Sequence, residues 1–152
     1  MKTLYFDIDG TVLDRCYTPK PLLAEGGFER ALKAAGFERL VCVGNVILIV
    51  QALQKAGVSC DPLEKVWCAC RGVFADEAWF RAHVELVPDP TLRAAYLDLD
   101  QDWWYVDDLA EHYCERAGRG ELFKRHEGKR IHAADPEGDG SCVLAWLKRC
   151  GV

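Results

Sequence analysis

"YFDIDGTVLD", residues 5–14, sets Asp7 and Asp9 two positions apart directly behind a short apolar run, with Gly10 and Thr11 next and a third carboxylate at Asp14. An apolar run of this length bounded by a turn signal predicts a buried strand. Like charges that close raise one another's pKa unless a cation or a shared proton relieves them. The pair therefore points to a site at the end of a strand, whose charge other parts of the chain must balance.

The chain has 152 residues, half of them hydrophobic, which suits one globular domain over 1–152 with a sizeable core. A net charge of -5, with the basic residues scattered along the sequence, argues against a nucleic-acid partner. The longest apolar stretch, "VCVGNVILIVQAL", is interrupted by Gly44, Asn45 and Gln51, so no membrane span is expected. The eight cysteines form no CxxC pair and several lie in apolar runs. They read as free thiols in a reducing compartment, and with no signal-peptide pattern ahead of the first strand a cytoplasmic location is expected.

Short β-like runs alternate with helical segments, the pattern of a doubly wound, Rossmann-like parallel α/β sheet flanked by helices. Five strands are predicted: "TLYFDI" (3–8), "RLVCVG" (39–44), "KVWCAC" (65–70), "WWYVDD" (103–108) and "RIHAAD" (130–135). Helices are expected over "GGFERALKAAGF", over "VILIVQALQKAG" with a stop at Gly57, and within 73–86. Others are expected from the Asp89-Pro90 start, over "LAEHYCERAG", and over "SCVLAWLKRC". Ligands of such sheets bind at the carboxyl ends of the strands. Attention therefore falls on Asp7, Asp9, Gly44, Asn45, Asp107, Asp108 and Asp135. If the first and fourth strands are neighbours, four carboxylates converge, and a hard cation with oxygen ligands such as Mg²⁺ suits that set.

"FDIDGTVLD" resembles the first motif of the haloacid dehalogenase-like (HAD) superfamily, an apolar strand followed by DxDGT. "WWYVDDLAEHYCERAGRG" resembles its fourth motif, and "VPDPTLRAAYLDLDQDWWYVDD" the segment leading to it. The resemblance implies a Mg²⁺-dependent phosphatase working through an aspartyl-phosphate. Asp7 would be the nucleophile and Asp9 the general acid/base; Asp7, Asp9, Asp107 and Asp108 would surround the metal, and Gly10, Thr11, Gly44 and Asn45 the phosphoryl group. Two positions depart from the family pattern: Gly44 stands where a Thr or Ser hydroxyl is usual, and Val87 where a Lys is usual. Arg81 is the chosen substitute cation. The chain has no room for a separate cap domain, which implies an open site for a phosphorylated substrate, with closure by a second copy of the chain as one option. The competing reading is a catalytically degenerate HAD-like protein that binds metal or a phosphoryl ligand in a regulatory or partner-binding role.

Overall fold

The computed structural model describes residues 1–151. Five strands form one parallel sheet: β1 (Lys2–Phe6), β2 (Arg39–Cys42), β3 (Val84–Leu86), β4 (Asp102–Asp107) and β5 (Ile131–Ala133). Their order is β3-β2-β1-β4-β5, so the chain starts in the middle, winds outward over β2 and β3, and returns to the other side of β1 with β4. The crevice of a doubly wound sheet opens where that reversal falls, here between β1 and β4. Phe6 pairs with Val106, so Asp7 leaves β1 level with Asp107 at the end of β4.

Strand alternation separates two cores. Leu4, Phe6, Leu40, Cys42 and Val106 face α1 (Gly27–Ala35) and α7 (Ser141–Cys150), through Phe28, Leu32, Val143, Trp146 and Leu147. Tyr5, Val41, Tyr105 and Ile131 face the opposite layer. Ile47 of α2 (Val46–Lys55), Cys114 of α5 (Ala110–Arg116) and Phe123 of α6 (Gly120–His126) cover that side. A short 3₁₀ helix, Pro90–Tyr96, packs against α5 and begins where Asp89 accepts a hydrogen bond from the Thr91 N–H at 3.0 Å. No helix among the described residues is long and apolar enough to cross a membrane. Every cysteine is a free thiol, with Cys42, Cys70, Cys114 and Cys150 buried.

The third strand is a correction to the sequence reading. "KVWCAC" is not a strand but the end of helix α3 (Pro62–Cys70), whose buried Val66 and Cys70 sit four residues apart on one helical face. Asp61 caps it by accepting the Leu63 N–H at 3.1 Å, with Pro62 in the first turn. The strand that pairs with β2 is "VEL", directly after α4 (Glu77–His83), inside the stretch expected to be helical. Helix α6 also stands where no element was expected. The four other strands lie within a few residues of their expected places.

Candidate active site at the β1–β4 crevice

The Asp7 N–H donates to the Val106 carbonyl at 3.1 Å, carrying the β1–β4 ladder one residue beyond the strand and fixing the first carboxylate. The chain then turns sharply, with Gly10 at φ 81°, a left-handed conformation that favours glycine. A Cβ on Gly10 would lie 2.3 Å from Asp108 Oδ2, so the absence of a side chain also admits the second acidic strand end. Gly10→Ala is expected to cost about 1–3 kcal/mol in urea unfolding, from strain at positive φ and displacement of Asp108.

Thr11 is buried between the two strand ends. Its hydroxyl donates to Asp7 Oδ2 at 3.0 Å and accepts the Asp108 N–H at 3.0 Å. Asp107 is buried and accepts three hydrogen bonds: from Tyr105 Oη at 2.7 Å, from the Leu109 N–H at 2.9 Å and from Arg93 at 3.0 Å. Among the described residues, Asp7, Asp107 and Asp108 each offer an oxygen atom within 4.8 Å of the others. Asp9 stands outside that trio and lines the same cleft, with its side chain open to solvent. The cleft encloses about 260 Å³.

The balancing cation is Arg93, which is 1% exposed. One terminal nitrogen bridges Asp7 Oδ1 at 2.9 Å and Asp107 Oδ2 at 3.0 Å. The other donates to Asn45 Oδ1 at 2.5 Å, Nε donates to the Pro90 carbonyl at 2.8 Å, and the guanidinium lies 3.7 Å from the Tyr113 ring centre. A planar fork is the side chain that can serve these partners at once.

One guanidinium does not neutralise four carboxylates. Burial, and then the charge of Asp107, push the Asp7 carboxyl well above its ordinary range despite Arg93. Burial also raises Asp107 against the pull of Arg93, and desolvation followed by the Asp108 charge raises Asp9. Three clustered oxygens with unrelieved negative charge suit a hard divalent cation.

The expected residues divide accordingly. Asp7, Asp9, Gly10, Asn45, Asp107 and Asp108 line one cleft. Thr11 positions two of the acids from behind the cleft wall. Gly44 is buried and does not line the cleft; a Cβ there would meet Ile8 at 3.3 Å, tighter than usual. Arg81 is a correction. It sits in α4 on the far edge of the sheet, bound to Glu64 and lying 3.4 Å from Glu77 and 3.7 Å from Asp61, and it takes no part in the cleft. Val87, where the resemblance leads one to expect a Lys, is core.

Lys20, a second buried cation, escaped the sequence reading. Its ammonium donates to the Gly10 carbonyl at 2.9 Å and the Asp135 carbonyl at 2.6 Å, tying the first acidic loop to the one after β5. Comparison with family models, with curated proteins and with solved structures gives no match.

Proposed function

We propose that the chain is a Mg²⁺-dependent phosphatase of the HAD-like type, hydrolysing a phosphoric monoester through an aspartyl-phosphate on Asp7. The observation that carries this reading is the seating of Asp7 at the sheet's switch point, held by Arg93 and Thr11 and grouped with Asp107 and Asp108. In the first step an Asp7 oxygen attacks phosphorus, the ester P–O bond breaks, and the Asp9 carboxyl gives its proton to the departing oxygen. In the second, Asp9 takes a proton from a water that attacks the same phosphorus, releasing phosphate and regenerating the Asp7 carboxylate. Burial, and then the charge of Asp108, raise the Asp9 pKa, the direction that a proton-donating carboxyl requires.

Asn45 takes the place of the missing hydroxyl. Guanidinium nitrogens only donate, so Arg93 fixes Oδ1 toward itself, and the amide nitrogen remains for a phosphoryl oxygen in the cleft. Asp7, Asp107 and Asp108 would hold Mg²⁺, which when bound supplies charge neutralisation for the phosphoryl oxygens. A cytoplasmic setting accords with the free thiols, and partial closure of the open cleft by a second copy of the chain belongs to the same reading.

The degenerate alternative has one specific support: the Arg93 guanidinium is engaged by Asp7, Asp107, Asn45 and Pro90, which leaves little of it for a substrate. The two readings separate on phosphate release from a panel of monoesters with Mg²⁺ and with chelator, together with trapping of a hydroxylamine-labile phosphoprotein. Chelator-sensitive turnover with a labile acyl phosphate is expected. Saturable Mg²⁺ binding without turnover favours the degenerate protein.

A further inference from the structure

The cleft has two chemically distinct parts. Its floor is charged: Asp7, Asp107 and Arg93 are buried there. Its lip carries Tyr17 and Leu109, with 72% and 52% of their surfaces exposed.

Tyr17 is held in this position by its backbone. Its φ is 63°, an uncommon conformation for an aromatic residue, with a cost of about 1–3 kcal/mol unless the surroundings compensate. The turn around it is tight: the Asp14 N–H donates to the Thr18 carbonyl at 2.8 Å and the Tyr17 N–H to the Asp14 carbonyl at 3.1 Å. Asp14 Oδ1 also accepts from the N–H groups of Cys16 at 2.8 Å and Thr18 at 3.0 Å. Glycine or asparagine would satisfy such a turn with less strain. An aromatic ring kept at a strained position and left largely open to solvent contributes little to the core, and the space it borders is the cleft.

Among the described residues Arg15 and Arg93 are the cations lining the cleft; Arg15 lies at the exposed rim, paired with Glu137 at 3.0 Å, and Arg93 is enclosed on the floor. The volume, about 260 Å³, accommodates a phosphoryl group and a body of roughly ring size.

We propose that Tyr17 and Leu109 form an apolar platform for the leaving group, and that the substrate is a phosphomonoester of an alcohol bearing an aromatic or other planar ring near the ester oxygen. This substrate class rests on the phosphatase reading; the platform itself is also testable by binding.

The experiment compares the wild type with Tyr17→Gly and Tyr17→Phe. Glycine removes the ring and suits the backbone, so the variant is expected to fold with an unchanged Tm or one about 2–4 °C higher. For phenyl phosphate with Mg²⁺, Tyr17→Gly is expected to raise KM about tenfold with kcat nearly unchanged, while Tyr17→Phe stays close to wild type. For glycerol 2-phosphate, which has no ring, all three proteins are expected to agree within about twofold.

Phenylphosphonate, which does not turn over, gives the independent readout by calorimetric titration with Mg²⁺ present: Tyr17→Gly is expected to weaken its binding about tenfold. Weaker phenylphosphonate binding by Tyr17→Gly than by a wild type that shows no turnover would retain the platform and overturn the phosphatase reading. Turnover with equal KM effects on both esters, or with none, would overturn the platform and leave the phosphatase reading in place. Absence of phenylphosphonate binding to the wild type would also overturn the platform.

Discussion

Asp7→Asn is expected to abolish Mg²⁺-dependent phosphate release, by roughly 10⁴-fold or more, in a protein that is at least as stable as the wild type. The two halves of this result have different origins. The amide oxygen can still accept from Arg93, and the Thr11 hydroxyl, which now donates to Asp7 Oδ2, can instead rotate to accept from the new amide. The local frame therefore survives while the nucleophile is lost. Stability follows from linkage. The Asp7 pKa is raised in the folded protein, first by burial and then by Asp107, so above the ordinary aspartate range the folded state holds more proton than the unfolded chain. Stability is then fully present below that range and declines as pH rises through the folded-state pKa. Removing the ionisable group removes that decline. The variant's Tm without divalent cation should fall less steeply from about pH 4 upward than the wild type's. Phosphate release that survives the substitution would exclude Asp7 as nucleophile, and an unchanged pH slope would show that Asp7 ionises without cost.

The acidic half of this site was legible in the sequence because it lies at strand ends, where one short apolar run fixes where a carboxylate must emerge. Asp7 and Asp9 follow β1, Asp107 ends β4 and Asp108 follows it, and adjacency of the two strands completes the cluster. The cation was not legible by distance from the motif. The segment before Val87 offers Arg81, but helix α4 turns it toward Glu64 and Glu77 instead. A signal for Arg93 existed nonetheless. Pro90, Arg93, Ala94 and Leu97 recur at helical spacing and all are buried, so a guanidinium occupies a place on an apolar stripe. A charge on such a stripe requires a buried partner. β3 failed for a different reason: three residues, Val84–Leu86, are too few to show alternation, whereas "KVWCAC" is apolar enough to suit either period. Asp61-Pro62 was the discriminating signal there, a cap and first-turn proline that belong to a helix.

Arg93→Met is expected to be among the most destabilising single substitutions in the chain, costing about 3–5 kcal/mol at neutral pH and lowering Tm by more than about 6 °C. Methionine fills most of the volume beside Tyr113 but leaves Asp7 and Asp107 facing one another in a buried site without a counter-charge. The cost belongs to the uncompensated carboxylates, so it must depend on whether they are ionised. Both already have raised pKa values with Arg93 present, and its removal raises them further, so acid protonates them and shrinks the penalty. Urea unfolding of the wild type and Arg93→Met near pH 7 and near pH 4.5 tests this: the gap should narrow toward acid. A gap independent of pH would assign Arg93 to packing against Tyr113 instead of charge balance. Arg93→Lys should fall between the two, because an ammonium keeps the charge but cannot bridge Asp7 and Asp107 while also reaching Asn45 and the Pro90 carbonyl. Arg81→Ala is the matched control. It removes an arginine paired with carboxylates at the surface, where solvent screens the pair, and should leave stability and the pH profile nearly unchanged. The contrast between the two arginines turns on enclosure, since both are paired and only Arg93 is held where water cannot take over its role.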